Sequence, residues 1–214
     1  MKILFIFAHP DDESYGPGGT ICKLAKNHDV KVISLCDGSR PGNEQVSITR
    51  TETFRNVCNM FGAKSEIYNF KDAKLEFDET LRTIEKIIQT EKPDIVYTHS
   101  MSDLHKDHRI VSECCLVACR PKKDGCVKQL YFCERPASTD WSFGKINDVF
   151  RANIYEDISE FIKTKEYALS LYSTETYSFP DARSVESMLN RSKLRGSQSG
   201  FCHAESFELI YMKR

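Results

Sequence analysis

The chain opens with Ile3–Leu4–Phe5–Ile6–Phe7–Ala8, an unbroken apolar run that stops at once in His9–Pro10–Asp11–Asp12–Glu13. Continuous apolar character, without polar alternation, is what a strand buried on both faces requires. The run is far short of the ~20 residues that span a bilayer. It also has no h-region and no small-residue cleavage site, so it does not read as a signal peptide. A first strand covered on both sides constrains everything after it, because helices must supply both covers.

The rest of the chain agrees. Helical patterns are expected over Thr20–His28, Ile48–Phe61, Phe77–Thr90 and Arg109–Arg120, and strands over Val30–Cys36, Glu66–Phe70, Asp94–His99 and Gln129–Cys133. The second strand leads into a turn-rich stretch, Asp37–Asn43, and Pro93 stops the third helix. Gly16, Gly18 and Gly19 are expected to permit a tight turn into the first helix. Further on, Asp157–Tyr172 and Ser184–Arg195 read as helical and His203–Met212 as a strand. Strands interleaved with helices at this spacing predict right-handed crossovers and an α/β fold with a mostly parallel sheet. No linker or repeat divides residues 1–214, so one domain is expected.

Charge and cysteine usage narrow the function classes. The 30 Lys and Arg against 31 Asp and Glu leave a net charge of −1, which argues against a broad nucleic-acid surface. Nine cysteines at uneven spacing do not form a disulfide framework, and a reduced, cytoplasmic setting is expected. Cys115, Cys119, Cys126 and Cys133 match no zinc-ligand spacing and read as core packing.

Ligands of open parallel sheets bind beyond the carboxyl ends of the strands. Two polar clusters fall there: His9 to Glu13 after the first strand, and His99, Asp103, His105, Asp107 and His108 after the fourth. Taken singly, each has a bland explanation. A strand-end histidine is often a hydrogen-bonded structural group, paired aspartates cap turns and helices, and His105 and His108 suit a solvated helix start. A dinucleotide site is excluded, since three acidic residues in the first loop would repel a pyrophosphate.

Together the clusters resemble the PIG-L/LmbE family of zinc-dependent N-acetylsugar deacetylases. The resemblance is carried by Ala8–His9–Pro10–Asp11–Asp12–Glu13 with Gly18–Gly19–Thr20, by His105–Lys106–Asp107–His108, and by Arg195–Gly196, Gly200 and Ala204–Glu205–Ser206–Phe207. It implies a Rossmann-like fold with helices on both faces of the sheet. It also implies zinc held by His9, Asp12 and His108, with a position left for water, whose pKa the metal would lower to about 7. Iron(II) would suit the same ligands. By the same resemblance Asp11 is the general base, His105 stabilises the oxyanion or protonates the leaving amine, and Asp107 orients a histidine. Arg50 and Asp72 fall at positions near the substrate. The implied substrate is a small N-acetylglucosamine-type conjugate, with no nucleic acid and no membrane span involved, and the implied assembly is a homo-oligomer of three or six subunits.

The chain departs from the common family pattern near Tyr172 and Glu175, on the acceptor side, which leaves the substrate's remainder open. Trp141 and Phe143 are candidates to stack on a sugar, although a lone tryptophan is more often core. Two other functions compete: a metal-containing sugar-binding or regulatory protein, and a hydrolase of another acyl bond such as an ester.

Overall fold

In the computed structural model, which describes residues 1–39, 44–144 and 149–213, the opening run is strand β1 (Lys2–Phe7). It pairs in parallel with β2 (Asp29–Cys36) on one side and β4 (Ile95–His99) on the other. Its side chains alternate between two cores. Ile3, Phe5 and Phe7 join Ile21, Phe54 and Val57 on one face, while Leu4 and Ile6 join Ile84, Ile87 and Val111 on the other. All five of these strand residues are at most 1% exposed. Full burial of each such side chain contributes about 1.5–3 kcal/mol, which is why no polar residue interrupts the run.

The sheet has seven strands in the order β3-β2-β1-β4-β5-β7-β6, with β3 at Lys64–Phe70, β5 at Gln129–Cys133, β6 at Ile154–Asp157 and β7 at Ala204–Met212. Only β7 runs against its neighbours. The helices are α1 (Asp12–Tyr15), α2 (Gly18–Ala25), α3 (Glu44–Met60), α4 (Phe77–Glu91), α5 (Lys106–Ala118), α6 (Ile162–Leu171) and α7 (Val185–Ser199). Core residues of α2, α3 and α6 cover one face and those of α4 and α5 the other. This is the expected Rossmann-like α/β architecture. No helix among the described residues is long and apolar enough to cross a membrane.

Three expectations are corrected. The helix expected over Asp157–Tyr172 is present as a 3₁₀ turn at Ser159–Phe161 followed by α6, but Asp157 itself closes β6, an edge strand paired to β7 that the sequence did not announce. Tertiary pairing with β7 overrides the weak local pattern. Second, α5 starts at Lys106, three residues before the expected Arg109. Third, Gly18 and Gly19 lie within α2, and a Cβ on Gly19 would stand 2.7 Å from Ile158, so that glycine serves close packing and not a turn. Residues 40–43 of the expected Asp37–Asn43 turn lie outside the described residues.

The closing signature has a structural explanation. Pro17 precedes α2 and supplies no side-chain cap. Glu205 on β7 does this from a distance, accepting the Gly19 N–H at 2.9 Å and the Thr20 N–H at 2.7 Å, with Lys165 Nζ 2.6 Å from the same carboxylate. Arg195 binds Glu134 through two nitrogens, at 2.8 and 2.5 Å. A Cβ on Gly196 would lie 2.6 Å from the Phe201 carbonyl oxygen, so this position of α7 admits only glycine without a shift. All nine cysteines are free thiols, and seven are buried, as core packing requires.

Candidate active site

The strand order places β1 beside β4, so the loops that leave their carboxyl ends meet. His105 caps α5, its Nδ1 accepting the Asp107 N–H at 3.2 Å. His108 lies three residues on. Positions three apart share one face of a helix, which brings both imidazoles to the loop carrying His9, Asp11 and Asp12.

His9 Nδ1 is 3.2 Å from His108 Nε2 and 3.6 Å from Asp12 Oδ2, and His108 Nε2 is 3.4 Å from Asp12 Oδ1. Ligands about 2.0–2.1 Å from a zinc ion at tetrahedral angles stand ~3.3–3.4 Å from one another. The two nitrogens are spaced close to that separation, with the Asp12 carboxylate beside both, Oδ2 toward His9 and Oδ1 toward His108, and two nitrogens with one carboxylate suit zinc or iron(II). Two overlapping groupings, His9–His105–His108 and Asp12–His99–His108, also bring donor atoms within 4.8 Å, as does His9–Cys36–Asp107.

The far nitrogens of the two ligand candidates are occupied by carboxylates. Nε2 of His9 is 3.1 Å from Asp72 Oδ1 and 3.2 Å from Asp107 Oδ2, and Nδ1 of His108 is 2.9 Å from Asp103 Oδ2. Such pairs put the proton on the outer nitrogen and leave the inner one a lone pair for a metal. Burial alone would lower the pKa of His9, but Asp107, Asp12 and Asp72 outweigh it and hold the group raised. His99 plays a different part. Its Nε2 accepts the Ala8 N–H at 2.9 Å, and its ring stacks on His108 with centroids 3.9 Å apart. Burial, reinforced by His108, drives its pKa down to about 4, so it is a neutral packing partner.

Asp11 has φ 139° and ψ −26°, a region that an L-residue enters at a cost of order 1–3 kcal/mol. The Glu13 carboxylate holds it there by accepting the Asp11 N–H at 3.0 Å, and in turn accepts the Ser14 and Tyr172 hydroxyls at 2.6 and 2.7 Å. Burial pushes the Glu13 carboxyl up to about 7. The Asp11 carboxylate faces Arg183 at 3.3 Å, Arg135 at 3.5 Å and Arg50 at 3.6 Å. Burial nevertheless raises its pKa, with Arg50 the foremost opposing influence.

His9, Asp11, Asp12, His108 and the three arginines line a cleft of about 180 Å³ that also takes in Leu104, Trp141 and Glu175. A larger cavity, about 500 Å³, lies at the other end of the sheet around Cys119–Val127 and contains none of them. Of the residues the sequence singled out for the site, His9, Asp11, Asp12, Arg50, Asp72, His105 and His108 line this cleft, and Asp107 stands behind it against His9. Arg50 is buried in it, 3% exposed, and is no surface ion pair. Asp72 sits against His9 Nε2 as well as beside Arg50, on the histidine side of the cleft. Trp141 is not core: it is 41% exposed on the rim, while Phe143 is 78% exposed and does not line the cleft. Tyr172 is buried beneath the site on Glu13, so of the two departures from the family pattern only Glu175 lines the cleft.

Sequence reasoning missed two arginines. Arg135 follows β5, its Nε donating to Asp12 Oδ1 at 3.0 Å while the guanidinium lies 4.5 Å from the Tyr15 ring centroid. Its signal was its place just beyond a strand's carboxyl end. Arg183 comes from the loop between α6 and α7 and had no such signal.

Residues 4–119 match the PIG-L family, described as GlcNAc-PI de-N-acetylase. A relative from Bacillus subtilis named probable N-acetyl-alpha-D-glucosaminyl L-malate deacetylase 2 is 28% identical over 192 residues, covering 81% of this chain and 83% of that protein. Among solved structures, the N,N'-diacetylchitobiose deacetylase of Pyrococcus horikoshii superposes with a TM-score of 0.79 at 19% identity, covering 98% of this chain and 83% of that one. GalB, the 4-carboxy-2-hydroxymuconate hydratase of Pseudomonas putida KT2440, superposes at 0.75 with 18% identity, covering 100% of this chain and 97% of that one. At these identities the superpositions show the shared fold, which can host more than one reaction.

Proposed function

The chain belongs to the PIG-L family, and from that premise we propose that it is a zinc-dependent hydrolase that removes the N-acetyl group from an N-acetylglucosamine-type sugar conjugate. The observation that carries this reading is the triangle of His9, Asp12 and His108 donors at 3.2–3.6 Å, with the Asp11 carboxylate on the adjoining residue. Relatives with deacetylase names support it.

In this reading His9 Nδ1, Asp12 and His108 Nε2 hold the metal, and Asp72, Asp107 and Asp103 fix the two imidazoles. When bound, zinc supplies Lewis acidity and a nucleophile from water at neutral pH. Asp11 accepts the proton of the water whose oxygen adds to the acetamide carbonyl carbon. Its raised pKa keeps it basic enough to hold that proton, and the three surrounding guanidinium groups keep it in place. His105, on the cleft wall, donates a hydrogen bond to the oxyanion, and the proton that Asp11 took from the water passes to the amine nitrogen as the C–N bond breaks, so the protons balance. The products are acetate and a free amino sugar. Arg50 lies where it can hold the sugar. The reading also covers one domain spanning residues 1–214, a cytoplasmic setting and a trimeric or hexameric assembly.

The test is acetate release from a panel of N-acetylglucosamine conjugates by the zinc-loaded protein. Wild type should release acetate and Asp11→Asn should be slower by about 10²–10⁴-fold. An Asp11→Asn rate within a few-fold of wild type would remove the proposed base. No release from any conjugate, despite one tightly bound zinc per chain, would overturn the reaction itself. Comparison with the O-acetyl analogues separates amide from ester hydrolysis.

A further inference from the structure

Outside the three metal-ligand candidates, the cleft is lined by three guanidinium groups, Arg50, Arg135 and Arg183, and three carboxylates, Asp11, Asp72 and Glu175. Asp11 and Asp72 have parts in the chemistry proposed above. Glu175 faces two of the arginines: its Oε2 accepts from Arg183 Nη2 at 2.9 Å, and its Oε1 lies 3.6 Å from Arg50 Nε. It is 1% exposed, and the Thr174 hydroxyl donates to its Oε1 at 3.2 Å. The Nε atoms of Arg50 and Arg183 are buried without a hydrogen-bond partner. Glu175 is thus the nearest carboxylate to Arg183 in the cleft. Removing its charge leaves Arg183 with Asp11, at 3.3 Å, as its carboxylate partner and frees guanidinium donors at a cavity wall, which is how proteins build anion sites.

Resting on the deacetylase reading, we propose that Glu175 is a specificity-determining residue that directs the site to N-acetylated amino sugars whose remainder is uncharged, and turns away conjugates bearing an acid group. An anionic remainder would have to displace Glu175 from Arg183 or lie beside it, and like charges in a partly dry cleft repel strongly. A neutral, hydroxyl-rich remainder accepts from the arginines and donates to Glu175 without bringing a second charge out of water. Trp141 on the rim offers the flat apolar face that such an uncharged ring stacks on.

The test compares wild type, Glu175→Gln and Arg183→Gln on two substrates, neutral N,N'-diacetylchitobiose and the dianionic N-acetylglucosaminyl malate, by kcat/KM for acetate release. Wild type should favour the neutral sugar. In Glu175→Gln the ratio should move at least about tenfold (~1.4 kcal/mol) toward the malate conjugate, carried by KM, and in Arg183→Gln it should move the other way. A wild-type preference for the malate conjugate, or a Glu175→Gln ratio within twofold of wild type, overturns the proposal. Calorimetric binding of the two deacetylated products to the same proteins reads the same preference without turnover. Absence of acetate from both substrates would therefore count against the deacetylase reading, while the binding ratio still decides the role of Glu175. Should Glu175→Gln fail to fold, Arg183→Gln and the wild-type preference decide it.

Discussion

Replacing Glu205 with leucine should unlatch α2, the helix that follows the loop carrying His9, Asp11 and Asp12. The side chain is 6% exposed and makes three contacts: the Gly19 N–H at 2.9 Å, the Thr20 N–H at 2.7 Å and Lys165 Nζ at 2.6 Å. Removing it strands two amides at the start of α2 and leaves a buried ammonium with the Gly16 carbonyl oxygen, at 2.6 Å, as its remaining hydrogen-bond partner. Breaking one partner out of a buried ion pair costs about 3–5 kcal/mol. For a chain of this size that lowers Tm by roughly 6–20 °C, at about 2–4 °C per kcal/mol. Glu205→Leu combined with Lys165→Met removes the stranded charge as well. The double variant should then lack only the helix cap, a loss of about 1–2 kcal/mol. The double variant should therefore be about 2–3 kcal/mol more stable than Glu205→Leu, a difference that urea denaturation of the two reads directly. A single-variant loss under about 1 kcal/mol, or a double variant no more stable than Glu205→Leu, would refute the assignment of Glu205 as a latch between a charge and a helix end.

The carboxylate behind His108 makes a separate prediction. Asp103→Asn takes the charge from His108 Nδ1, 2.9 Å away, and should weaken zinc affinity about 10–100-fold in a chelator competition, with little change for a conservative variant such as Ser112→Ala on the same helix. Gly196→Ala drives a methyl group to 2.6 Å from the Phe201 carbonyl oxygen and should cost about 1–3 kcal/mol in denaturant unfolding; an unchanged midpoint would show that α7 can shift freely. Acid sensitivity should trace partly to Glu91, whose pKa Lys2, and then Lys31, hold below its ordinary 4.5. A depressed folded-state pKa means the stabilisation is complete above the unfolded value and is lost as pH falls through the folded one. Glu91→Gln should accordingly flatten the fall of Tm below about pH 4.5, and a variant whose Tm falls as steeply as that of wild type would assign the acid sensitivity elsewhere.

The first strand shows why much of the fold was legible. Burial on both faces must be written locally, as consecutive apolar residues, so Ile3 to Phe7 announced a covered central strand and the helix periods after it announced the covers. The strand β6 was not legible in the same way. An edge strand with half-buried residues carries little pattern of its own, and its pairing with β7 supplies what the local sequence lacks. The boundary of α5 erred for a related reason. Capping by the His105 ring is a contact between an imidazole and a backbone amide, outside the usual Ser, Thr, Asp and Asn signals.

Within the site the division is equally physical. Residue types at the strand ends marked the two clusters, and the family resemblance picked out His9, Asp11, Asp12, His105, Asp107 and His108 within them, because candidate ligands and proton carriers are particular side chains at particular strand ends. Which carboxylate faces which imidazole nitrogen was decided by packing across the sheet, where Asp103 took His108 and Asp72 joined Asp107 on His9. Arg135 and Arg183 enter from distant parts of the chain, and an arginine in a loop looks alike in sequence whether it meets solvent or a buried carboxylate. Only the fold brings them to Asp11, because charge pairing in the interior depends on distance in space, and sequence separation carries no record of it.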